Sequence, residues 1–201
     1  MIGQKNAKEL MMSVEAFMQA NGYFSQTGYL GEAQKRQFQE RLAQMPHICT
    51  IAEIGFNAGH SAECFFESCP NLKGFISFDI SLHPYTKPTA EYFHRLHPDR
   101  FLFIEGDSQE TVPVFASRFP TLKCDLIYID ATHTFAYVMG DILNAKLIAH
   151  PQTVLWLDDT HYSEVMRAVE FCETYGLIKI KQAFSPQDAK DPKRTWLEAC
   201  Y

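Results

Sequence analysis

Residues 49–61 read CTIAEIGFNAGHS, an apolar run that closes on Glu53, Gly55 and Gly59 and passes directly into a helical pattern. A short unbroken apolar run bounded by glycine suits a strand buried on both faces, and such strands belong to parallel sheets covered by helices. Glycine permits the tight turn, and the helix that follows offers unpaired N–H groups to a ligand. Ligands of open α/β sheets bind beyond the carboxyl ends of the strands, so this stretch predicts both a fold and the place of its site.

Working outward, the same run recurs as GFISFDI (74–80), FLFIEGD (101–107), DLIYIDA (125–131) and TVLWLDD (153–159). Helical patterns separate them at 61–68, 88–97, 110–118 and 135–149, and another follows at 163–175. GLIKIKQAF (176–184) and TWLEACY (195–201) are joined by the polar segment SPQDAKDPKR and should pair as a hairpin. Upstream, Leu10, Met11, Val14, Phe17 and Met18 mark one helix, and Phe38 with Leu42 mark a second over 32–44. The expected fold is a single α/β domain: a Rossmann-like, doubly wound, seven-stranded sheet, mostly parallel with a C-terminal antiparallel hairpin. Residues 1–46 form a helical cap and 47–201 the core; no internal repeat or linker interrupts them.

Composition narrows the function class. Apolar residues make up 46% and charged residues 21% of 201, and no apolar run approaches the ~20 residues of a membrane span. The net charge of -6 and the lack of a basic patch speak against nucleic acid as a partner. The opening residues lack a secretory h-region, and six cysteines without a CxxC pair read as reduced and mostly buried, so the expected location is the cytoplasm. The hairpin edge offers a surface for a homodimer, whereas Lys179 and Lys181 equally suit a guarded edge.

All five strand ends carry acids: Glu53, Asp79 with Ile80, Glu105-Gly106-Asp107-Ser108, Asp130-Ala131-Thr132-His133, and Asp158-Asp159-Thr160-His161. Asp79 is placed to accept from ribose hydroxyls, and Gly106, Asp107 and Ser108 to lie along an adenine edge. Each acid alone could merely cap a helix; the set together points to a ligand. The glycine pattern is not the dinucleotide G-x-G-x-x-G, because Phe56, Asn57 and Ala58 separate Gly55 from Gly59.

The spacing E-x-G-x-x-x-G with an acid twenty residues beyond resembles class I S-adenosylmethionine-dependent methyltransferases. Ile129-Asp130-Ala131-Thr132-His133-Thr134-Phe135 with Val138 and Asp141, then Leu157-Asp158-Asp159-Thr160, is similar to the small bacterial family Methyltransf_24, with Ala131 and Phe135 in place of its glycine and tyrosine. The resemblance implies that the loop Glu53, Gly55, Phe56, Asn57, Gly59, His60 and Ser61 wraps the methionine part of S-adenosylmethionine. It further implies that Asp79 and Ile80 meet the ribose, that Gly106, Asp107 and Ser108 flank the adenine, and that Asp130, Ala131 and His133 complete the bed. The implied activity is methyl transfer, to oxygen of a small-molecule acceptor; a non-catalytic cofactor- or metabolite-binding domain is the alternative.

Asp130, Asp158 and Asp159 also resemble the acidic trio that holds Mg²⁺ in catechol-type O-methyltransferases, with Asp159 standing where Asn is usual. Oxygen ligands of this kind suit Mg²⁺ or another hard divalent cation. The competing reading gives one acid to the cofactor amine and another to capping the helix near Ser163. His133, three residues after Asp130, is a candidate proton acceptor beside Asp130, or alternatively a cofactor contact. His161 is a second candidate for either role.

Overall fold

The structure, a computed structural model, describes residues 12–24, 28–187 and 189–201. Leu10 and Met11 of the first expected helix lie outside them; its described part is α1 (Val14–Ala20), capped by the Ser13 hydroxyl. The second cap helix is α2 (Glu32–Ala43). Seven strands follow: β1 (Thr50–Ile54), β2 (Gly74–Asp79), β3 (Phe101–Glu105), β4 (Cys124–Ile129), β5 (Ala149–Leu157), β6 (Lys179–Phe184) and β7 (Trp196–Cys200). Between them run α3 (His60–Ser68), α4 (Thr86–Leu96), α5 (Ser108–Arg118), α6 (Phe135–Ala145) with a 3-10 turn at Lys146–Ile148, and α7 (Ser163–Thr174).

The strand order is β3-β2-β1-β4-β5-β7-β6, and β7 alone runs opposite to the other six strands. The hairpin pairs as expected, but its second strand sits inside the sheet and β6 takes the edge. Lys179 and Lys181 are exposed there, as a guarded edge requires.

Alternation along the strands builds two cores. Ile51, Phe75, Leu126, Tyr128, Trp156 and Trp196 face the first four helices, where Phe38 of α2 packs its ring against Tyr128, Trp156 and Trp196. Ile54, Phe78, Ile129, Leu155 and Leu197 face α5, α6 and α7. Neither face of the central strands meets water, which is why they read as unbroken apolar runs. All six cysteines are free. Among the described residues no helix is long and apolar enough to cross a membrane.

Candidate active site

The ladder continues one residue past β1, β3, β4 and β5. The amides of Gly55, Gly106, Asp130 and Asp158 donate to the carbonyls of Phe78, Asp79, Ile54 and Ile129, so the strand ends form one stitched rim. Gly55 stands at φ 101, and a Cβ there would lie 1.8 Å from the Asp130 carbonyl oxygen, so only glycine lets β1 and β4 close on each other.

Above the rim lies an open cleft. Gly55, Asn57, Asp79, Ile80, Gly106, Asp107, Ser108, Asp130 and Ala131 line it, together with Leu82, His83, Thr132 and Tyr137. The first nine were expected in a cofactor bed. Asp79 does structural work as well: Oδ2 accepts from the amides of Phe56 and Asn57, each at 2.8 Å, and Oδ1 from Ser81 at 2.6 Å. Asp107 caps α5 through Gln109 at 2.9 Å, and its other oxygen accepts from the Tyr137 hydroxyl at 3.2 Å. Ile80 and Leu82, at the cleft, are 50% and 79% exposed.

Other expected contacts lie elsewhere. Glu53 is fully buried beneath the glycine loop, where its oxygens accept from the hydroxyls of Ser61 and, at 2.7 Å, Ser77. Burial pushes its carboxyl up to about 7. Phe56 is likewise interior, packed among Phe93, Phe101 and Phe103. Gly59, at φ 88, lies against the Phe56 ring. His60 faces away, 3.2 Å from Glu15 of the cap. These residues shape the loop from below. The Ser108 hydroxyl also turns inward, donating to Asp141 Oδ1 at 2.6 Å, and burial raises the Asp141 carboxyl to about 6.

The second half of the site adjoins the ends of β4 and β5. Asp159 has φ 54, a conformation that is uncommon for a non-glycine residue and that gathers at functional sites. The turn aims its carboxylate at the rim, where Oδ2 lies 2.9 Å from His133 Nε2. His133 is stacked on Tyr162, with centroids 4.6 Å apart. Arg194, seated just before β7 and missed in the sequence, donates from Nε to Asp159 Oδ1 at 3.0 Å. Burial pushes the Asp159 carboxyl up, but the His133 hydrogen bond and the Arg194 charge outweigh it and hold the group below its usual range.

Asp158 points the other way. Its Oδ2 accepts from Gln34 Nε2 at 2.8 Å and the Tyr128 hydroxyl at 2.6 Å, and Oδ1 accepts from the Asp159 amide at 2.7 Å. Among the described residues Asp158 therefore lies outside the cluster that could take a cation, although it shares the Tyr128 hydroxyl with Asp130, whose Oδ2 is 3.1 Å from that hydroxyl. Asp130, His133 and Asp159 do bring one donor atom each within 4.8 Å of one another, but the Asp159 oxygens are already held by His133 and Arg194. Burial, then repulsion from Asp158 and Asp159, drives the Asp130 carboxyl well above its usual range, which favours the protonated form. His161 is a more distant neighbour, with Nδ1 3.8 Å from Asp159 Oδ1.

Known proteins share this arrangement of elements. The O-methyltransferase from Bacillus cereus, solved in complex with SAH, superposes with a TM-score of 0.72 at 15% identity, covering 100% of this chain and 97% of its own. The O-methyltransferase TomG from Streptomyces achromogenes, involved in tomaymycin synthesis and solved in complex with SAM, gives 0.68 at 13% identity over 91% and 85%. At such identities the likeness is one of fold. None of the curated proteins compared with this chain matches it. A profile of the methyltransferase-domain family Methyltransf_24, however, matches residues 52–160, which is more than half of the chain and holds all five strand ends described above. The chain belongs to the Methyltransf_24 family of methyltransferase domains.

Proposed function

We propose that this protein transfers the methyl group of S-adenosylmethionine to a hydroxyl oxygen of a small acceptor, with His133 taking the proton. The observation that carries the reading is the continuity of two half-sites: the acid-lined cleft over β1, β2 and β3 meets the His133–Asp159 pair at Asp130 and Ala131. The cleft suits that cofactor. Its lining holds Asp79 and Asp107, beside the neutral Asp130, and neither lysine nor arginine, which favours a cationic ligand without phosphates over a dinucleotide. Asp79 would receive the ribose hydroxyls, and Ile80 and Leu82 would cover the adenine, which gives their exposure a purpose.

Once bound, the sulfonium supplies a methyl group that is already activated, so the protein's task is alignment and proton removal. His133 donates Nε2–H to Asp159, which leaves the Nδ1 lone pair as the proton acceptor. Asp159 fixes the ring and stabilises the imidazolium that results. The acceptor oxygen loses its proton to His133 as its new bond to carbon forms and the sulfur–carbon bond breaks. Asp130, kept protonated by its neighbours, can donate a hydrogen bond at the junction of the two half-sites.

The test has two stages. Calorimetric titration should give micromolar binding of S-adenosylmethionine and S-adenosylhomocysteine and none of NAD. A panel of phenols, catechols and hydroxylated sugars, scored for S-adenosylhomocysteine release, should then identify an acceptor whose turnover falls by about 10²- to 10⁴-fold in His133→Ala, with cofactor affinity retained. Binding without release across the panel would favour the non-catalytic reading, and no binding of either adenosyl compound would refute both.

A further inference from the structure

The acids at the ends of β4 and β5 pose a problem of charge that the family resemblance would solve with a divalent cation. This chain contains a different solution. Arg194 is 7% exposed, and its guanidinium is the one group of permanent positive charge that is hydrogen-bonded to these acids among the described residues. Its Nε holds Asp159, while NH1 donates to the Tyr29 carbonyl at 2.8 Å and to Gln34 Oε1 at 3.0 Å. Gln34 in turn donates to Asp158, so one bridge joins the cation to both aspartates of the β5 end. The neighbouring residue, Thr195, locks the arrangement: its carbonyl accepts from the Thr160 amide at 2.9 Å, and the two hydroxyls lie 2.8 Å apart.

We propose that Arg194 is the resident cation of this site, holding Asp159 where a divalent ion would otherwise sit, so that the chain excludes such an ion and works without one. The proposal rests on the reading of the cleft as a methyl-transfer site. Asp158 has three of its roughly four acceptor positions filled by protein donors, so it has little left for a metal. The oxygens of Asp159 face His133 and Arg194, and a fixed guanidinium about 3 Å away repels a second cation. Anchoring Asp159 through protein alone also fixes the orientation of His133.

Manganese is the probe. The purified chain, dialysed against EDTA and saturated with S-adenosylhomocysteine, is titrated with Mn²⁺ and followed by the electron paramagnetic resonance of free ion. Wild type is expected to retain none at millimolar concentration. Arg194→Met, folded as judged by unchanged S-adenosylhomocysteine affinity, should bind Mn²⁺ at least about tenfold more tightly, because the repelling charge is gone. Arg194→Lys should restore exclusion. Stoichiometric manganese on wild type would overturn the proposal, as would a folded Arg194→Met that binds none; should that variant not fold, the wild-type titration decides alone. A wild-type chain that fails to bind S-adenosylhomocysteine at all refutes the methyltransferase reading instead, so the two failures are separable.

Discussion

Glu53 has no contact with water, and its two serine partners do not compensate fully for the lost hydration, so its carboxyl titrates near 7 instead of its ordinary 4.5. The folded state thus holds a proton that the unfolded chain gives up. Its contribution, roughly 3 kcal/mol, is complete below about pH 4.5 and is lost as pH rises through about 7. Asp141 acts with the same sign between about 3.8 and 6. Urea unfolding across this window should show stability declining with pH, and Glu53→Gln should flatten much of the decline. Gly55→Ala makes a sharper case: its Cβ would overlap the Asp130 carbonyl, at a φ that side chains rarely adopt. It should cost roughly 1–3 kcal/mol in thermal stability and weaken S-adenosylmethionine binding in calorimetry by spreading β1 and β4 apart. The need for glycine at residue 55 was legible in the sequence. The division of labour between Asp158 and Asp159 was not read from it, because it is set by Gln34 and Arg194, partners distant in sequence.

At the scale of elements, the strands and helices were plain because continuous apolar runs and helical spacing are local signals. The burial of Arg194 was not. It lies in SPQDAKDPKR, which reads as a solvated turn, and becomes internal only because Tyr29 and Gln34 arrive from about 160 residues away. Helix α2 therefore joins the segment before β7 to the end of β5 through Gln34. Phe38 anchors it, fully buried among Phe65, Tyr128, Trp156 and Trp196. Phe38→Ala is expected to destabilise the protein by about 3–5 kcal/mol in denaturant titration. Because Gln34 shares the helix, activity should fall before the sheet unfolds as denaturant rises.

For the whole molecule, the sign of the field matters more than any one contact. A net charge of -6, with Asp79 and Asp107 lining the cleft, attracts the sulfonium of S-adenosylmethionine, a positive charge that S-adenosylhomocysteine lacks. Raising salt from about 0.05 to about 0.5 M should weaken the first ligand several-fold and the second much less. Equal loss for both would show that the cleft acids are neutralised before the cofactor arrives.

The place of β7 between β5 and β6 bears on biosynthesis. As the chain is made, β6 emerges ahead of the strand it must pair with, and β5 waits with one open edge. Trp196–Cys200 closes both gaps at once and draws Arg194 in beside Asp159. Completion of the sheet and the pairing of Arg194 with Asp159 are therefore coupled, and a nascent chain halted before residue 194 carries an unfinished sheet and an Asp159 without its guanidinium partner.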